Sequence, residues 1–267
     1  MSLFRLGQFV RFFFAAVTKY QLHSTFVFEV AFAVLEDKRW FYAFRDVEAV
    51  RKKMLASDVG VEVVGYGTAA TSKRSVRSLA RDSASSRRQG QMLFRLANHL
   101  RPKTMLELGS SVGIGTMYLG MAARDARFLT LEGSKEVAQV ARLNLELLRL
   151  DKNTELREGS FEETLSGALW DLQRLDLVFL DGNHRQEPTL RYFEECLPFA
   201  HDKTVFVFDD MHWSKDMAEA WERVKKHPRV TLTLDFYEIS LAFVDPDFRE
   251  KQHLAVVPAW WKLWRFF

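Results

Sequence analysis

Apolar residues recur at spacings of three and four through the first 55 positions, then give way to short unbroken apolar runs. The first regime predicts helices over 4–20, 24–36 and 40–55, the last with Phe41, Phe44, Val47, Val50 and Leu55 along one face. Ser24 stands where it caps the second of these. From Gln91 the pattern changes. A helix over 91–100 precedes strands at 104–108, 127–131, 175–180 and 204–208, with helices over 135–150, 189–197 and 215–226 between them. Strands at 230–234 and 239–244 close the series. Strands alternating with helices predict an α/β domain on a mainly parallel sheet. The two closely spaced final strands predict an antiparallel hairpin at one edge.

The same pattern divides the chain into four stretches: an N-terminal helical extension (1–65), a basic, Ser-rich loop or lid (66–90), the α/β domain (91–246) and an aromatic tail (247–267). The helical extension is too aromatic to bury its faces alone. It is expected to pack on the core or on a second subunit, so a homodimer is an expected assembly. The loop carries Lys73, Arg74, Arg77, Arg81, Arg87 and Arg88 against Asp82, which suits a solvated loop with a helix start, or else a mobile lid or a contact to an acidic substrate. The tail ends Trp260-Trp261-Lys262-Leu263-Trp264-Arg265-Phe266-Phe267. Tryptophan and basic residues together favour a groove or a peripheral membrane contact.

Charge and cysteine usage narrow the picture. A net charge of +3 is too small to argue for nucleic acid. Cys196 is the single cysteine, which excludes an intrachain disulfide and any cysteine-based zinc site, and a reducing cytoplasm is the expected compartment. The apolar run from Phe9 is split by Arg11 and ended by Lys19, far short of a membrane span.

Candidate chemistry begins at Met105-Leu106-Glu107-Leu108-Gly109-Ser110-Ser111-Val112-Gly113-Ile114-Gly115. An apolar strand ends in an acid, and three glycines follow at the spacing G-x-x-x-G-x-G before a helix. Glycine, lacking Cβ, lets backbone approach a ligand closely and tolerates positive φ. Glu132 ends the next strand, about 20 residues on, where a carboxylate can accept hydrogen bonds from both hydroxyls of a ribose. Two further clusters, Asp181-Gly182-Asn183-His184 and Asp209-Asp210-Met211-His212, follow later strands at the sheet edge where open α/β folds bind ligands. Converging carboxylates repel one another, and a hard divalent cation such as Mg²⁺ removes that cost.

The glycine loop resembles motif I of the class I S-adenosylmethionine-dependent methyltransferases. That resemblance implies a Rossmann-like methyltransferase fold with a seven-stranded, mainly parallel sheet. It implies that Glu107, Gly109, Ser110, Gly113 and Gly115 surround S-adenosylmethionine, with Glu107 toward its methionine part and Glu132 on its ribose. Arg157-Glu158-Gly159-Ser160-Phe161 resembles the adenine-binding segment, which adds Gly159 and Ser160. The Asp/His clusters are similar to those of metal-dependent O-methyltransferases acting on sugar hydroxyls. By that likeness Asp181, Asp209 and Asp210 hold the metal, Asp181 also borders the cofactor, and His184 is the general base. His212 and Trp213 line the substrate side or satisfy their loop. The stretch from Asp181 to Pro228, and His23-Ser24-Thr25-Phe26-Val27-Phe28, resemble a bacterial methyltransferase group met in Bacteroidetes, from which Thr25 departs where proline is usual. The expected activity is O-methylation of a small-molecule hydroxyl. The competing readings are a noncatalytic interaction module on the same fold, and a nucleic-acid methyltransferase. Against the latter, no Asn-Pro-Pro-Tyr motif stands at 181–184.

Overall fold

A computed structural model describes residues 3–65, 70–82 and 84–265. The chain divides into two compact units, one of residues 39–183 and one of residues 1–38 with 184–267. In chain order, α1 (Leu3–Ala15) and α2 (Thr25–Ala31) open the chain, α2 running on into a π-helical turn over Phe32–Glu36. The unit of residues 39–183 holds α3 (Tyr42–Leu55), β1 (Gly60–Gly65), β2 (Ala70–Ser75), α4 (Val76–Asp82) and α5 (Arg87–Leu100). It continues with β3 (Thr104–Leu108), α6 (Ile114–Ala122), β4 (Arg127–Glu132), α7 (Lys135–Leu147), β5 (Thr154–Glu158), α8 (Phe161–Leu172) and β6 (Leu175–Leu180). The remainder adds α9 (Gln186–Cys196), β7 (Ala200–Asp209), α10 (Lys215–Lys226), β8 (Leu232–Asp235), β9 (Ile239–Phe243) and β10 (Gln252–Ala255).

Within residues 39–183, β5, β4, β3 and β6 lie side by side and all parallel. The side chains of β3, β4 and β6 are mostly buried on both faces, which is why β3 and β6 read as nearly unbroken apolar runs. In the second unit β7 and β8 both pair antiparallel with β9, and β10 adds parallel to β8. The predicted hairpin is therefore present as β8–β9, but it is not the edge. β10, which lies in what the sequence suggests is tail, takes that place beside β8. The large sheet has eight strands rather than seven.

The stretch 66–90 also differs from its expected loop. Residues 66–69 and 83 lie outside the described residues. Around them β2 pairs antiparallel with β1 from Gly60↔Ser75 to Gly65↔Ala70, and α4 follows at once. The strand is polar (Ala-Thr-Ser-Lys-Arg-Ser), so alternation hides it. α5 starts four residues earlier than the apolar period suggests because Ser86 and Gln89 cap it reciprocally. The Ser86 hydroxyl accepts from the Gln89 N–H at 3.1 Å, and the Gln89 side chain accepts from the Ser86 N–H at 3.2 Å.

The expectation that the N-terminal helices need a partner surface is met for α3 by its own unit. Phe44, Val47 and Val50 are buried, while Leu55 is exposed and Met54 takes the inward position. The Phe44 ring lies 5.1 Å from Phe94 on α5 and 6.0 Å from Tyr118 on α6. The Tyr118 hydroxyl donates to Glu48 of α3 at 2.9 Å, so the aromatic seam ends in a satisfied polar group.

Candidate active site

The loop between β3 and α6 is shaped by its glycines. Gly109 has φ +101° and Gly113 φ +87°. A Cβ on Gly109 would stand 2.5 Å from the Asp181 carbonyl oxygen, so the loop presses on the backbone leaving β6. The Gly109 and Ser110 N–H groups both donate to the Leu131 carbonyl, at 2.9 and 3.2 Å, and the Asp181 N–H donates to that of Leu108 at 3.0 Å. The carboxyl ends of β3, β4 and β6 are thus stitched together at the loop. Gly115 opens α6 where a side chain would meet the Glu107 carboxylate at 3.1 Å and the Ser85 hydroxyl at 3.2 Å.

Glu107 is buried, and one of its oxygens accepts from the hydroxyls of Thr116 and Thr130, each at 2.6 Å. Burial pushes its carboxyl up to about 7, against the pull of those two hydrogen bonds. Neither threonine was singled out by sequence, although a threonine inside the apolar run Phe128-Leu129-Thr130-Leu131 is a legible sign of a buried polar partner. The unfolded chain gives up this proton near 4.5 and the folded chain near 7, so stability present below about pH 4.5 is lost as pH rises through 7. The loss amounts to about 3 kcal/mol at most. Glu107→Gln keeps an acceptor for both threonines and removes the titration. Urea unfolding at about pH 5 and about pH 8 is expected to give a smaller stability difference for this variant than for the native chain.

Glu132 ends β4 with its two oxygens divided between two backbone donors. Ser111 N–H lies 2.9 Å from one and Ser134 N–H 2.9 Å from the other. Burial raises its carboxyl above the ordinary range, opposed by those donors and by Gly133. The Glu132 carbonyl also accepts from the Gly159 N–H at 3.0 Å, bringing the segment after β5 to the same edge. Gly159 has φ +138°, and Ser160 is the N-cap residue of α8, its N–H donating to Glu163 at 3.1 Å. Phe161 packs over Gly182, where a Cβ would lie 2.4 Å from its ring. The edge therefore gathers Glu107, Gly109, Gly113, Gly115, Glu132, Gly159 and Ser160 within one unit. Ser110 is buried there, and its hydroxyl has no hydrogen-bond partner among the described residues.

The second cluster lies in the other unit. β7 ends in buried Asp209, whose carboxylate accepts from the Asp210 N–H at 2.7 Å, and Asp210 turns the chain at φ +55°. Nδ1 of His184 stands 3.8 Å from the Asp210 carboxylate. Burial and the neighbouring Asp209 charge raise Asp210 to about 6, opposed by His184 and Arg5. The Arg5 guanidinium also lies over the Trp213 ring at 4.1 Å. His212 is committed elsewhere. Its Nε2 is 2.8 Å from Asp235, and its ring stacks on Tyr237 at 4.8 Å. Asp235, which ends β8, was missed by sequence reasoning although an acid closing a strand is the same signal that singled out Glu132.

The three-carboxylate metal set implied by resemblance divides between the units, Asp181 in one and Asp209 with Asp210 in the other. Among the described residues no group of three His, Cys, Asp or Glu side chains is placed to hold a metal ion. What is present is the adjacent, mutually repelling pair Asp209–Asp210. Mg²⁺ keeps several waters and commonly uses only one or two protein carboxylates, so this oxygen pair fits it.

This geometry has counterparts. Residues 106–211, the segment that runs from within β3 past β7, match a methyltransferase domain family. Catechol O-methyltransferase of Niastella koreensis is 28% identical over 125 residues, covering 46% of this chain and 56% of that protein. Catechol O-methyltransferase of Mycobacterium tuberculosis is 30% identical over 129 residues, covering 48% of this chain and 57% of that protein. The chain thus spans a little over half the length of these curated relatives. An O-methyltransferase from Bacillus cereus in complex with S-adenosylhomocysteine superposes with a TM-score of 0.55 at 21% identity, covering 82% of this chain and 97% of that one. An O-methyltransferase of tomaymycin synthesis from Streptomyces achromogenes, in complex with S-adenosylmethionine, gives 0.55 at 19%, covering 86% and 99%. The fold is the Rossmann-like α/β fold of these enzymes.

Proposed function

We propose that the chain transfers a methyl group from S-adenosylmethionine to a hydroxyl of a small organic acceptor. The observation that carries this reading is the β4 terminus. Glu132 is held by two backbone N–H donors beside a glycine loop whose buried Ser110 hydroxyl has no partner among the described residues. An orphaned buried hydroxyl needs a ligand or water to complete it. The catechol O-methyltransferases among the relatives place catechols first in the acceptor panel.

When bound, the sulfonium supplies an activated methyl, so the protein's task is alignment and proton removal. Glu132 binds the ribose hydroxyls, and Glu107 supports the loop from beneath through Thr116 and Thr130. His184 takes the acceptor hydroxyl proton, its imidazolium stabilised by Asp210. Asp209 and Asp210 would hold Mg²⁺, which lowers the pKa of a coordinated hydroxyl. Binding of Mg²⁺ alone, followed by calorimetry, checks that assignment apart from turnover.

The reading is tested by titrating the protein with S-adenosylmethionine. Micromolar binding is expected, weakened about 10–100-fold by Glu132→Ala through loss of charge-assisted hydrogen bonds. A well-folded native chain that binds no S-adenosylmethionine would overturn the proposal in favour of a noncatalytic interaction module.

A further inference from the structure

Among the described residues, one face of α1 is apolar and left exposed. Leu3, Leu6, Val10 and Phe14 are 89%, 49%, 45% and 68% exposed. At 3.6 residues per turn these four positions fall within an arc of about 80°. The opposite face is satisfied: Phe12 is buried, 5.2 Å from the Tyr237 ring, and Phe9 packs on Tyr237 at 5.1 Å and on Trp261 at 6.0 Å. The exposed stripe is thus a second apolar face on a helix already docked by its first.

The C-terminal segment of the same unit holds this helix in place. Lys262 is buried and donates to the carbonyls of Phe14 and Ala16, closing the carboxyl end of α1. The Val17 N–H donates to Ala255 at 2.8 Å, and the Val257 N–H donates to Val17 at 3.0 Å. From this tied-down segment Trp260 projects, 66% exposed. The stripe is therefore preformed, and binding through it costs little ordering.

We propose that the exposed face of α1, with Trp260, seats the protein on an anionic lipid surface. Charge selects this occupant. α1 carries Arg5 and Arg11 and no Asp or Glu, and Arg11 is exposed beside the stripe, while Lys19 beyond it pairs with Glu36 at 3.1 Å. Leucine, valine and phenylalanine on one face with flanking cations, and an exposed tryptophan nearby, is the composition of a helix lying in a membrane interface. The mode is lateral, since no helix of the described residues is long and apolar enough to cross a membrane.

The test is co-sedimentation of the full chain with vesicles of two parts phosphatidylcholine to one part phosphatidylglycerol, and with phosphatidylcholine alone. The anionic vesicles are expected to pellet the protein, less so as salt rises. Leu6→Asp with Val10→Asp is expected to lower the bound fraction at least tenfold. Leu143→Asp, an exposed leucine on α7, is expected to leave it unchanged. Circular dichroism confirms folding, and Phe14→Asp alone supplies an independent reading of the same face. A folded native chain that pellets with neither vesicle, or pelleting that survives the double substitution, would overturn the proposal. So would a lipid-free dimer that the double substitution dissociates, since the stripe would then seat a second copy. None of these readings depends on methyl transfer.

Discussion

Replacing His184 by Ala is expected to lower kcat for methyl transfer about 10²–10⁴-fold, the range a positioned general base supplies. The acceptor hydroxyl must lose its proton as its oxygen bonds to the methyl carbon, and His184, beside Asp210, is the imidazole proposed for that task. His212 is held by Asp235 and Tyr237. The dissociation constant of S-adenosylmethionine should not move, because the residues proposed to bind it lie on other strands. Without added Mg²⁺, the residual rate should rise with pH through the region near 6 where Asp210 ionises, since its charge stabilises the imidazolium. Formation of S-adenosylhomocysteine with the best acceptor of a catechol panel measures both effects. Unchanged turnover in His184→Ala would remove the base from the mechanism.

Gly109→Ala is expected to be the most damaging small substitution. The new methyl would sit 2.5 Å from the Asp181 carbonyl oxygen and 2.9 Å from its carbon, both backbone atoms with nowhere to move. Adopting φ +101° adds conformational strain of about 1–2 kcal/mol, and overpacking costs about 1–3 kcal/mol more. A combined loss of about 2–5 kcal/mol lowers Tm by about 5–15 °C in a chain of this size. Cofactor affinity should fall with it, because the loop carries the buried Ser110 hydroxyl and the Ser111 N–H that holds Glu132. Gly7→Ala is the matched control. Its methyl meets nothing within 4 Å, so Tm should hold or rise slightly, as expected of alanine in a helix. Thermal melts of the two variants decide the matter, and similar melting temperatures would show that the loop can relax.

The parallel strands β3, β4 and β6 were legible because burial on both faces leaves little choice but apolar side chains. β3 and β6 match their expected bounds, and α10 matches at both ends, where Ser214 caps it and lysines close it. β2 and β10 were not legible. β2 is polar and gains its pairing only from β1, while β10 is a four-residue strand whose partner, β8, lies about 20 residues upstream. A strand that owes its existence to a neighbour leaves little pattern of its own.

The candidate site divides along the same line. Sequence alone determined the glycine loop, the acids ending β3 and β4, and the Asp/His clusters, because positive φ and strand-end carboxylates demand particular residues at particular spacings. Only the tertiary structure decided what each group does next. It buried Glu107 against two threonines 9 and 23 residues away and stitched the loop to Leu131 and Asp181. It also tied His212 to Asp235, leaving His184 beside Asp210, and turned one face of α1 outward. Hydrogen-bond partners and burial are properties of residues brought together from distant positions, and no local spacing encodes them.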